Sequence, residues 1–386
     1  MPHYDIVILG AGASGLWAAM TAAKRGKSVC VIDHGKKAGR KILIAGGGKC
    51  NFTNIELTTD DFLCRNPHFV KSALARLTPW DVVAFVESHD IPWEEREHGQ
   101  LFCRDSAADI ANALLAECRR ANVTLRLEEE IRGVEKNDAF RVTLGKGEVT
   151  AASCLIALGG SAWPQVGSTD TGYRIAKQFG HTIIPARPAL VPFTTPSDWK
   201  LRGLTGIALP ACLTVNGKSF TENLLFTHKG LSGPVALQAS CHWEKGMEIT
   251  IDFLPGNRID TLLADAGGKP LVRTVLSRIL PERLATALIP SKLGGRQIAQ
   301  LTTQDHERLT QLVHNYTVIP AGTEGMRKAE ATGGGVDTAD VSSKTMESRL
   351  TPGLYLTGEV LDVTGQLGGF NLHWAWASGQ AAGEAM

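Results

Sequence analysis

YDIVILGAGASGLWAAMTAAKRGKSVCVID, residues 4–33, decides how the rest of the chain is read. Ile6–Leu9 is a short unbroken apolar run, the pattern of a buried parallel strand. A glycine turn follows, then an alanine-rich helical stretch from Leu16 to Lys24, ended near Gly26. SVCVID is a second strand. Gly10-Ala11-Gly12-Ala13-Ser14-Gly15 therefore stands between a strand and a helix, where G-x-G-x-x-G binds a dinucleotide. Gly10 makes the tight turn, Gly12 lets a pyrophosphate reach the backbone, and Gly15 lets helix and strand pack closely. The helix start, with Ala13 and Ser14, offers free N–H groups to phosphate. Asp33 ends the second strand, placed to accept from a ribose 2′-OH and to repel a 2′-phosphate, so the spacing predicts FAD or NAD over NADP.

Two later stretches favour FAD. GRKILIAGGGKCNFTN (39–54) replaces the further strand–helix units of an NAD enzyme, and its apolar run reads as too short for a helix. Near the C-terminus, GLYLTGEVLDVTGQLGGFN (353–371) supplies strand, acid, glycine loop and helix start. That pairing suits a long ligand gripped at both ends. Gly47 and Gly48, beside Gly46, are expected to lie against flavin and pyrophosphate. Arg40 and Lys41 are expected to neutralise phosphate, with Asn51 following at the ring. Gly358 and Glu359 are expected at the ribityl hydroxyls. Gly369, Phe370, Asn371 and Leu372 open a helix aimed at the flavin pyrimidine edge.

Elsewhere the chain reads as an ordinary globular protein. It has 386 residues, 43% hydrophobic and 20% charged, with formal net charge +1, so its overall field selects neither nucleic acid nor membrane. The eight cysteines form no C-x-x-C pair and no zinc spacing, so reduced thiols, no metal and a cytoplasmic location are expected. No membrane span and no secretory signal are expected. Residues 68–122 read as helical in two blocks, the second opening at Ser106. Residues 123–158 read as an antiparallel excursion returning to a buried strand, 189–260 as β-like, 259–312 as helical, and 315 onward as β-like again.

Six segments in one order carry a family resemblance: GAGASGL, GRKILIAGGGKCNFTN, NPHF with GQLFC, ENLLFTHKGLSGP, TEGMRKAEATGGGVD and GLYLTGEVLDVTGQLGGFN. The chain resembles the BaiN/RdsA-type, or YhiN-like, FAD-dependent oxidoreductases over essentially its whole length. The resemblance implies an α/β fold whose Rossmann-like, glutathione-reductase-type FAD domain (1–188 and 336–386) is split. It carries an inserted β-rich domain (189–258 and 313–335) and a small helical domain (259–312). Ile131 and Gly159 join the expected cofactor contacts. His373 stands where the family leads one to expect glutamine. One branch of the family is assigned to reduction of steroid enones, another to dihydrouridine formation in large-subunit ribosomal RNA, and this sequence is nearer the second. NAD(P)H is implied as a transient electron donor, since no second dinucleotide fold is legible.

Two residues are candidates for protonating carbon after hydride delivery: Cys50, beside the expected flavin, and His228 in FTHKG. Cys50 also reads as a small packed residue. Residues 269–308 carry seven basic against three acidic residues, an excess of four, and are the expected contact for ribosomal RNA. The expected reaction is two-electron reduction of a polarised C=C bond. A small-molecule enone reductase, an amine oxidase and a non-catalytic ribosome-binding factor stand as alternatives.

Overall fold

A computed structural model describes residues 2–386. The chain divides into two compact units, one of residues up to Arg187 together with Ala331–Met386, the other Pro188–Glu330.

The first unit is built on the opening stretch. Strand β1 (His3–Leu9), helix α1 (Ala13–Lys24) and strand β2 (Val29–Ile32) form as the pattern requires, and the residues of β2 are all buried. Strands β3 (Thr124–Arg126), β4 (Glu148–Ile156) and β5 (Leu354–Leu356) complete a parallel sheet in the order β3-β2-β1-β4-β5. Its register runs Ile6↔Val29 on one side of β1 and Ile6↔Ser153 on the other. β4 changes partner along its length. Its start, Glu148–Ala151, pairs antiparallel with Phe140–Leu144, and its end, Cys154–Ile156, pairs parallel with β5. The excursion read from residues 123–158 is thus a hairpin appended to a parallel sheet.

The C-terminal helix α2 (Phe370–Ala385) lies against α1. Gly379 and Gly383, four apart and so on one face, make the close approach possible. A Cβ on Gly379 would come 2.6 Å from the Ser14 carbonyl oxygen, and one on Gly383 would come 2.8 Å from that of Ala18. Gln380 between them accepts from Trp17 Nε1 at 2.8 Å and Thr21 Oγ1 at 3.0 Å. The last helix of the chain is therefore fastened to the first.

Two local expectations are corrected. The apolar run before the glycines does form a helix, Arg40–Ile44, one turn entered through left-handed Gly39. Residues 68–122 are not two helical blocks. Helices Lys71–Arg76, Pro79–Glu87 and Ala107–Arg120 are interrupted by a hairpin of Trp93–Arg96 and Gln100–Cys103. His98 and Gly99, both at positive φ (59° and 65°), turn that hairpin, and Asn51–Asn54 adds to it as a third strand. Ser106 caps the last of these helices by accepting from Ala108 N.

The second unit is a seven-stranded antiparallel sheet with helices Ile259–Ala266, Val272–Ile279, Glu282–Leu288, Ser291–Gly294 and Thr303–Val313. A further helix, Pro234–Ser240, lies within the stretch read as β-like. The sheet residues Leu213, Leu224 and Ile251 share one apolar core with the helical residues Leu263, Leu276, Leu284 and Leu309.

Candidate dinucleotide site

The glycines of the first turn divide by what surrounds them. A Cβ on Gly10 (φ 110°) would sit 2.3 Å from the Ala157 carbonyl oxygen, and one on Gly15 would sit 2.0 Å from that of Gly10. Gly12 is different: a Cβ there would meet nothing within 4 Å. Gly12 also opens α1, and neither a side-chain cap nor a first-turn acid satisfies that helix start. The N–H groups of the first turn, with the positive end of the helix dipole, are thus presented beside bare backbone.

Asp33 holds this turn in place. Its Oδ2 accepts from Ala11 N at 2.9 Å, and its Oδ1 accepts from Gly35 N at 2.7 Å and Arg40 Nη2 at 3.0 Å. Three of roughly four acceptor sites of the carboxylate are occupied, leaving one toward a hydroxyl. Arg40 lies over two glycines. A Cβ on Gly35 would come 2.4 Å from its Cζ, and one on Gly167 would come 2.0 Å from its Nη1.

The glycine triplet is one left-handed run, with φ of 55°, 66° and 87° at Gly46, Gly47 and Gly48. Such a run is ordinarily open only to glycine. Protein fills the space at Gly46, where a Cβ would meet Phe102 at 2.7 Å. At Gly47 nothing lies within 4 Å, and at Gly48 only the Leu43 oxygen, at 4.0 Å.

The two ends of the sequence meet here. Lys41 Nζ pairs with Glu359 Oε2 at 2.5 Å, and Glu359 Oε1 accepts from Thr332 N at 2.7 Å. Gly358 (φ 72°) leaves 2.8 Å between its missing Cβ and Ser14 Oγ. Asn54 Nδ2 donates to the Gly368 oxygen at 3.0 Å. Asn51, oriented so that its amide oxygen accepts from Gly369 N at 3.1 Å, donates to the Thr53 and Leu101 oxygens. Asn371 closes the last loop by exchanging hydrogen bonds with Gly365 N and O, both 2.8 Å. α2 then begins at left-handed Gly369, again with neither a side-chain cap nor a first-turn acid. Phe370 is buried and Leu372 half-buried.

A sheet entered through this turn, closed by a C-terminal helix that returns to it, is a whole-chain pattern. The HI0933-like protein Rossmann domain matches residues 4–385. The chain belongs to the HI0933-like family. It is 45% identical over 392 residues to the ribosomal RNA dihydrouridine synthase of Escherichia coli K12, covering 100% of this chain and 98% of that protein. It is 45% identical over 390 residues to the protein of the same name in Haemophilus influenzae, covering 98% of this chain and 97% of that one. It is 30% identical over 409 residues to the 3-dehydro-bile acid delta(4,6)-reductase of Clostridium scindens, covering 98% of each.

Other polar groups of this HI0933-like chain collect at the same place and were not read from the sequence. A Cβ on Gly160 would come 2.4 Å from Thr332 Oγ1 and 3.0 Å from Glu359 Cδ. Thr332 Oγ1 itself accepts from Ala162 N at 2.9 Å. Thr357 Oγ1 is buried without a hydrogen-bond partner, and the buried Tyr173 hydroxyl has Ser161 as its polar neighbour. Burial, then the charge of Glu359, raises the Tyr173 phenol, so it stays a neutral donor. A buried orphan such as Thr357 Oγ1 calls for a partner. The Gly159-Gly160 pair was the only local signal for this side of the site; these hydroxyls follow from tertiary placement. Gly159 (φ 72°) has nothing within 4 Å of its Cβ position. Ile131 begins a hairpin strand opposite Leu144, just beyond Glu129, whose N–H donates to the Asp33 oxygen.

The two candidate proton donors, Cys50 and His228, have different surroundings. Cys50 is fully buried, and its side chain meets Cys103, also fully buried. The hydrogen bond with Cys103 and then burial push its thiol well above the ordinary range. The thiol packs as a small core side chain. His228 is exposed and lies in the second unit, in a turn closed by Gly230 N donating to Thr227 Oγ1 at 3.1 Å. It is not among the residues that the first unit brings together.

His373 has a structural task. It is fully buried, its Nε2 donates to the Leu77 oxygen at 2.9 Å, and its Nδ1 accepts from Thr53 Oγ1 at 2.7 Å. Burial lowers it to about 4, so the ring is neutral. Trp374 and Trp376 are core residues whose indoles donate to the Gly358 and Phe52 oxygens. Among the described residues no group of three His, Cys, Asp or Glu is arranged to hold a metal, none of the eight cysteines forms a disulfide, and no helix is long and apolar enough to cross a membrane.

Proposed function

We propose that this protein is a cytoplasmic FAD-dependent oxidoreductase that reduces uridine to dihydrouridine in large-subunit ribosomal RNA, with NAD(P)H as the transient electron donor. The observation that carries the cofactor reading is the uncapped start of α1 at Gly12, where a Cβ would meet no protein atom, with Gly47 and Gly159 equally open. The donor set fits a dinucleotide with a polyhydroxyl linker. Backbone N–H groups at Gly12, Ala13 and Ser14 suit a pyrophosphate. The remaining acceptor capacity of Asp33 suits a ribose hydroxyl. Glu359, Tyr173 and Thr357 suit the ribityl chain, and Gly47 and Gly48 clear a flat face for a ring system. When bound, FAD supplies hydride to a polarised carbon–carbon double bond.

The chain contributes holding and orientation. Lys41 holds one Glu359 oxygen in an ion pair while Thr332 N donates to the other, which fixes the carboxylate in place. The start of α2 places its dipole where negative charge on a ring edge is favoured. The substrate reading is supported by 45% identity, over nearly full length, to two proteins named for it. The 30% identity to a bile acid reductase supports a second reading, the same bond reduction on a small enone.

Anaerobically reduced protein mixed with an unmodified large-subunit rRNA fragment should be reoxidised, and dihydrouridine should appear in the RNA by mass spectrometry. Reoxidation by a steroid enone but not by RNA would replace the first reading with the second. Purified protein that is colourless, and stays so after incubation with FAD, would remove both.

A further inference from the structure

We propose that the outward faces of helices Val272–Ile279 and Glu282–Leu288 form an RNA-backbone groove, in which Arg273 takes a phosphate and Glu282 accepts from a ribose 2′-OH. The inference rests on the ribosomal RNA reading and adds the surface and the means by which RNA is told from DNA.

The two helices are amphipathic in a way that creates the groove. The first buries Val272, Val275 and Leu276, and the second buries Leu284, Ala285 and Leu288. Among the residues left outside are Arg273, Thr274 and Ser277 from one helix, and Glu282 and Thr286 from the other. These five line a pocket of about 340 Å³, within the range of small-ligand clefts. Arg273 and Glu282 share this pocket, yet neither makes an ion pair or hydrogen bond with any described residue. Other cations of the same segment are engaged: Arg296 pairs with Asp305 at 2.5 Å, and Arg283 donates to the Gly203 oxygen at 2.7 Å.

An open cation and an open anion, with three hydroxyls between them, suit a ligand that carries both a phosphate and a hydroxyl donor. Arginine is matched to phosphate oxygens, and Thr274, Ser277 and Thr286 add neutral donors of the kind that contact nucleic-acid backbones. Glu282 would repel a phosphate chain unless given a donor. The 2′-OH is that donor, and DNA lacks it. The surroundings favour a polyanion. Residues 269–308 carry seven basic and three acidic residues, an excess of four, whereas the whole chain carries +1, so the remainder is at −3. Arg278 and Lys292, exposed and without ion partners, belong to that excess.

The test measures equilibrium binding of the full-length protein to a fluorescent large-subunit rRNA fragment and to DNA of the same sequence, between about 50 and 200 mM salt. Arg273→Gln should weaken RNA binding about fivefold and make the salt slope shallower by about 1. Glu282→Ala should raise DNA binding and lower the RNA-over-DNA ratio about threefold or more. Both positions are exposed, and unchanged thermal unfolding checks each variant. Arg273→Gln with unaltered affinity and slope, or Glu282→Ala with an unaltered ratio, overturns the groove. If the parent protein reduces rRNA while both variants bind as it does, the groove alone fails. If the parent protein shows no preference for rRNA over DNA and no turnover of it, the substrate reading fails as well.

Discussion

The turn Gly10–Gly15 and the loop Gly46–Gly48 are both glycine-rich, but their glycines answer to different neighbours. Gly10 and Gly15 are required from within, because a methyl group at either would press into backbone oxygen at 2.3 or 2.0 Å. Gly47 lies at φ 66° with no atom within 4 Å, and Gly12 is equally open although its φ of −87° would accept any residue. Packing explains the first pair. It does not explain Gly12, whose openness at an uncapped helix start suits the proposed approach of a pyrophosphate to the backbone.

The largest effect expected is on the fold side of that division. Gly15→Ala should destabilise by about 3 kcal/mol or more, since backbone cannot yield as a side chain can; urea unfolding measures it. A change of under 1 kcal/mol would mean that the turn relaxes and that the division is not real.

The seam between the two regions should be sensitive to acid. His373 joins α2 to the strand of Asn51–Asn54, and its neutral form is required. Its folded value of about 4 lies below the ordinary 6.5, so between these the unfolded chain binds the extra proton. The stability it contributes is present above about pH 6.5 and is lost as pH falls toward 4. By pH 5 the loss should reach about 2 kcal/mol. His373→Gln, the amide that the family resemblance leads one to expect, should remove that increment from the pH profile. An unchanged profile would mean that another group is responsible.

How far the sequence could be read follows the same line. The opening strand–turn–helix–strand was legible because a buried strand, a tight glycine turn and an alanine-rich helix are each local patterns. The meeting of Lys41 with Glu359, and of Asn51 with Gly369, was legible only as a matter of ligand length, with no local signal for the contacts themselves. The hairpin Trp93–Cys103 was missed because three of the four residues of its first strand, WEER, are charged and its turn uses His98, a residue not usually left-handed. Tyr173 was missed because the burial of its hydroxyl is a property of packing. The surroundings of Cys50 were not legible because its place in the sequence, next to the glycines, says nothing of which way its side chain is enclosed.

Gly12→Ala tests the ligand side of the division. It should leave unfolding within about 0.5 kcal/mol, as a methyl at that φ meets nothing. Retention of FAD should nevertheless fall at least tenfold, about 1.4 kcal/mol, because the methyl would stand where the pyrophosphate approaches. Fluorescence titration of the apoprotein measures the second quantity, and undiminished affinity would mean that the pyrophosphate lies elsewhere.

The smallest effect is expected at Cys50. Cys50→Ala removes one buried sulfur facing Cys103 and should cost about 1 kcal/mol of stability. Reduction of substrate by the FAD-loaded variant should stay within twofold, since a fully enclosed thiol has no path to a reacting carbon. A hundredfold loss of turnover with FAD retained would fall in the range of a lost general acid. It would return the thiol to the chemistry and require the loop to open when the site is filled.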